Sequence, residues 1–119
     1  MAAVPDVRPP LGQWALRLQR GFNDLPSKTG QCRTPQEVCN AAVVVLEALR
    51  VAAVPAPDLE LEMLALDYLD RLLLLYRECP QDRGRANLLH ARADRAGRRL
   101  ETAINRQLGG APRQAGRTR

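Results

Sequence analysis

Between Pro57 and Pro80 the chain runs for twenty-two residues without a proline or a glycine, and its apolar side chains there recur at intervals of three and four. That period belongs to an α-helix; in a strand the faces alternate at every second residue. Leu61, Leu64, Ala65, Leu66, Tyr68, Leu69, Leu72, Leu73, Leu75 and Tyr76 spread over more than half of the helix circumference. Only a narrow polar strip of Glu60, Asp67, Arg71 and Glu78 remains. A helix this apolar needs other helices around it, so it is expected at the centre of a bundle or at a subunit interface. Asp58 is placed to cap its start, and Glu60 and Glu62 stand in its first turn, where the positive end of the helix dipole favours them.

The remaining segments are cut out by the same punctuation. After Pro9-Pro10, the residues Leu11, Trp14, Ala15, Leu18, Phe22 and Leu25 keep a helical period, closed by Gly21 and Pro26. A polar loop from Ser27 to Arg33 leads into Thr34-Pro35-Gln36-Glu37, a threonine N-cap, a proline at the first helical position and a glutamate at the third. Val38, Ala41, Ala42, Val45, Leu46, Ala48, Leu49 and Ala52 then form one wide apolar arc, ended by Pro55 and Pro57. Beyond Pro80 a last helix carries a narrow seam of Ala86, Leu89, Ala93, Ala96, Leu100, Ala103 and Gln107 at heptad spacing, where small residues let a partner helix approach closely. The tight turn at Pro80 predicts that the third and fourth helices form an antiparallel hairpin.

Aromatic residues are 3% of the chain, so the core is expected to be built from leucine, valine and alanine. The fold class is therefore all-α: a four-helix bundle of antiparallel helical hairpins, with helices over about 11–22, 34–53, 58–78 and 82–108. Residues 1–108 form a single helical domain, and 109–119, rich in Gly, Pro and Arg, a disordered basic tail.

Several chemistries are missing. Cys32, Cys39 and Cys79 contain no C-x-x-C pair, and one histidine, His90, does not complete a zinc site. The three cysteines are expected to be reduced, Cys39 as a small hydrophobe on an apolar helix face, which suits an intracellular compartment, cytoplasmic or nuclear. Ser27-Lys28-Thr29-Gly30 lacks the order of a phosphate loop, and no nucleophile stands within a helical turn of His90. No catalytic site, cofactor or small-molecule substrate is expected, so the chain reads as non-enzymatic. No apolar run is long enough to span a membrane, and no secretory signal precedes the first helix.

Charge supplies the positive evidence. Residues 1–57 carry a net +2, residues 58–82 a net −5 and residues 83–119 a net +8. On the fourth helix Arg85, Arg92, Arg95, Arg99 and Arg106 share one arc with Arg98 at its flank, a strip about 31 Å long. Two functions follow as expectations. The first is a small adaptor or regulatory subunit that binds a protein partner or a second copy through apolar helix faces, with Leu61, Tyr68, Leu72, Leu75, Ala93, Ala96 and Leu100 at the interface. The second is a nucleic-acid-binding protein, possible as a dimer, that uses the six arginines on the backbone of double-stranded RNA or DNA. The alternative for the strip is a solvated face, its arginines paired with Asp67, Asp70, Glu78, Asp94 or Glu101.

The sequence Tyr76-Arg77-Glu78-Cys79-Pro80, followed by Asn87-Leu88-Leu89-His90-Ala91 and Arg95-Ala96, resembles the helix-turn-helix of the insect nodavirus RNA-silencing suppressors. The resemblance covers about thirty residues. It implies a dimeric helical protein that binds double-stranded RNA, with Arg95 at a basic RNA-facing position. The chain departs from that pattern at Thr102, where a second arginine is expected, and its first two helices have no counterpart.

Overall fold

The computed structural model describes residues 8–26 and 34–117, all of whose regular structure is helical. The loop over 27–33, with Cys32 in it, lies outside the described residues. The helices are α1 (Leu11–Asn23), α2 (Pro35–Ala52), α3 (Leu59–Glu78) and α4 (Arg83–Arg117).

Local chemistry sets the starts as expected. Thr34 accepts from the Glu37 N–H at 3.2 Å while the Glu37 carboxylate accepts from the Thr34 N–H at 3.0 Å, so the capping box closes in both directions. Asp58 accepts from the Leu61 N–H at 2.8 Å and opens α3. α1 ends at Asn23, within a residue of the expected end, and the Leu49 side chain packs on Gly21 where a Cβ would collide with it. The backbone of α4 is helical over Arg83–Arg117, past the end expected near Leu108.

α3 is the centre of the bundle, packed against α2 on one side and α4 on the other, and α1 closes the ring against α2 and α4. The α3–α4 hairpin is antiparallel, with a steady register from its turn to its open end. Glu78 meets Arg85, Tyr68 faces Gly97, and Asp58 accepts from Gln107 at 2.7 Å. Between α2 and α3, Arg77 meets Glu47 and Arg50 meets Asp70, each at 2.7 Å.

The core is built from Leu18, Leu46, Leu49, Leu61, Leu69, Leu73, Leu89 and Leu100, with alanines 53, 56, 65, 93 and 103 where helices approach closely. Trp14 is fully buried among them and donates its indole N–H to the Ala53 carbonyl at 2.9 Å. No buried side-chain polar atom among the described residues lacks a partner.

One expectation about the cysteines is overturned. Cys39 and Cys79 are joined in a disulfide across α2 and the end of α3, with Cα atoms 6.0 Å apart. The antiparallel return of α3 along α2 brings the two cysteines together. The intracellular compartment was argued from reduced thiols, and that support falls with them. No helix among the described residues is long and apolar enough to cross a membrane.

Candidate nucleic-acid interface

The α3–α4 hairpin decides the fate of both residue sets singled out by the sequence. Leu61, Leu72, Leu75, Ala93, Ala96 and Leu100 are buried inside the chain's own bundle, and Tyr68 is half-buried with its ring 5.5 Å from that of Phe22. The expected interface residues are thus not on a free face. They are covered by the bundle itself, while Val44, Val51, Met63 and Leu74 are among the large apolar side chains left exposed.

The arginines divide differently. Arg85 is paired: its guanidinium holds both oxygens of Glu78, at 2.7 and 3.0 Å, in a fork-to-fork contact. That contact holds the Glu78 carboxyl below the usual carboxylate range and raises the Arg85 guanidinium further. Of the other carboxylates expected to neutralise the strip, Asp70 pairs with Arg50 and Asp67 with Arg71, whereas Asp94 and Glu101 share a groove with Arg98 without forming an ion pair with it. Arg92, Arg95, Arg98, Arg99 and Arg106 are exposed, and none has an ion pair or hydrogen bond from its side chain among the described residues. From Arg92 to Arg106 they span about 21 Å of helix.

Arg95, Arg98, Arg99 and Arg106 line a shallow groove of about 390 Å³ where α4 crosses the start of α3. Leu64, Thr102 and Ala103 complete its lining, together with a single carboxylate, Glu60. The walls hold because the hairpin beneath is fixed by the Leu61, Ala65, Ala93, Leu100 and Ala103 packing and by the Asp58–Gln107 bond at its open end. The Asp58 carboxyl is held below its ordinary value chiefly by the Leu61 N–H and then by Gln107. Arg98 reaches further, lining a second groove between α1 and α4 with Asp94, Glu101 and Phe22.

His90 is exposed and sits at a groove of about 740 Å³ beside the Cys39–Cys79 bridge, whose lining contains Arg83 but no carboxylate. No group of His, Cys, Asp and Glu suited to a metal ion occurs among the described residues. Compared with protein-family models, with curated proteins and with solved structures, the chain matches none. The resemblance over Tyr76–Thr102 therefore gains no support from these comparisons.

Proposed function

We propose that this chain is a non-enzymatic nucleic-acid-binding protein that holds the sugar-phosphate backbone along the arginine face of α4, without reading base sequence. The observation that carries this reading is the set of five exposed guanidiniums, at residues 92, 95, 98, 99 and 106, none in an ion pair or hydrogen bond among the described residues, while Asp67, Asp70 and Glu78 are held by Arg71, Arg50 and Arg85. Guanidiniums match phosphate geometry, and binding releases the counterions condensed on the polymer. The aromatic rings lie elsewhere: Trp14 is buried, Phe22 and Tyr68 pack on one another, and Tyr76 belongs to the groove by the disulfide. A face with no stacking platform suits the regular backbone of a duplex better than splayed single strands. The adaptor reading is weaker, because the residues assigned to it fill the bundle.

The test is a fluorescence-anisotropy titration with labelled duplex RNA and duplex DNA at several salt concentrations. Five phosphate contacts give a slope of log K against log salt of about −4.5. The combined substitution of Arg95, Arg99 and Arg106 by Glu abolishes binding while circular dichroism stays helical. No binding by the native chain, or undiminished binding by the variant, refutes the proposal.

A further inference from the structure

The arginine groove contains one acid, and its placement is not explained by pairing. Glu60 stands in the first turn of α3, where the helix dipole accounts for a carboxylate. It nevertheless lines the same groove as Arg95, Arg98, Arg99 and Arg106 and forms no ion pair within 4.0 Å with any of them. Its charge is therefore not cancelled by a close contact, and an anion entering the groove meets it.

We infer that Glu60 is a specificity-determining residue that makes the groove select a nucleic-acid duplex over more densely and uniformly charged polyanions; this rests on the duplex-backbone reading above. A duplex presents its phosphates in a rigid line along each strand, with uncharged sugar edges between them. Phosphates can lie against Arg92, Arg95 and Arg99 while a sugar edge, which carries no charge, passes Glu60. In RNA that edge also brings a 2′-hydroxyl able to donate to a carboxylate. A flexible sulfated polysaccharide carries anions around its whole circumference and places one near Glu60 in any register. Selectivity then comes from a repulsive element aimed at the wrong ligand, as much as from attraction to the right one.

The experiment measures affinity for a labelled duplex and for heparin, as a defined sulfated polysaccharide, in the native chain, in Glu60→Gln and in Glu101→Gln. Glu101 lies in the other groove, on the α1 side of α4, and its substitution changes net charge by the same amount. Glu60→Gln is expected to tighten heparin binding about fivefold, the effect of one unscreened contact in water, and duplex binding less than twofold. Glu101→Gln is expected to leave the ratio of the two affinities unchanged. Equal tightening toward both polymers, or none, overturns the inference while leaving duplex binding in place. Absence of duplex binding by the native chain overturns the underlying reading as well.

Discussion

The indole N–H of Trp14 donates to the main-chain carbonyl of Ala53 at 2.9 Å inside the core, tying the first turn of α1 to the residue that ends α2. Two losses can therefore be separated at this position. Trp14→Phe keeps most of the apolar volume but leaves a buried carbonyl without its donor, for an expected loss of about 1–3 kcal/mol. Trp14→Ala adds a cavity and is expected to cost about 3–5 kcal/mol. Urea unfolding followed by far-ultraviolet circular dichroism reads both, and an unchanged stability for Trp14→Phe would mean that the hydrogen bond contributes nothing.

The Cys39–Cys79 bridge spans 40 residues of sequence, so breaking it restores conformational freedom to the unfolded chain. The chain-entropy relation puts the loss at about 4 kcal/mol for a loop of that length. A Cys39→Ala, Cys79→Ala variant and the reduced native chain are expected to show the same lowered denaturation midpoint. Cys79 holds a left-handed backbone with φ 45° at the C-cap of α3, a conformation that favours glycine. Cys79→Gly is accordingly expected to be more stable than Cys79→Ala, although neither can form the bridge.

Arg85 and Arg99 belong to one strip by sequence but not by electrostatics, since Arg85 is held by Glu78. Arg99→Ala is expected to weaken duplex binding and to make the salt slope shallower by about one, whereas Arg85→Ala changes that slope by much less. Parallel titrations over a range of salt separate the two substitutions; equal changes would show that Glu78 does not withhold Arg85.

Asp58 ties the start of α3 to α4, and its folded-state pKa lies below its unfolded one. A group shifted in that direction contributes its full stabilisation above the ordinary carboxylate value near 4, and the contribution is lost as pH falls through the lower, folded value. The native chain is therefore expected to exceed Asp58→Asn in melting temperature at neutral pH, with the difference narrowing below about pH 4. A difference that stayed constant into strong acid would remove the charge from this account.

Gly97 lies against Tyr68, and a Cβ built on it would stand 2.9 Å from the tyrosine Cε1. The ring has little room to retreat because it packs on Phe22 at 5.5 Å. Gly97→Leu is expected to destabilise by about 1–3 kcal/mol even though leucine is the better helix former. A thermal melt showing a gain would indicate that the α3–α4 contact is looser than described.

Most of the architecture was legible because its signals are local. The Thr34–Glu37 box, the Asp58 cap and the apolar period of α3 each depend on residues within a few positions of one another. The misses are non-local. Whether Leu61 or Ala96 faces a partner or a neighbouring helix depends on how α3 and α4 fold back, and periodicity describes a face without naming what covers it. The disulfide had a usable signal, since Cys39 and Cys79 each stand twenty residues from Leu59, where the α2–α3 hairpin returns. The arginine strip was visible as a pattern, but which guanidiniums were neutralised depended on side-chain pairing that the sequence left open.

Because Cys39 is welded to Cys79, the polypeptide is topologically a ring with two arms, one bearing α1 and the other α4. A protease nick between Ala53 and Asp58 would open the ring yet leave every piece attached until a reductant was added. A cut at Gln81, outside the ring, would sever the only covalent link to the cationic arm. The covalent map thus places the arginine-bearing helix, like α1, on an arm that only packing retains once the chain is cut.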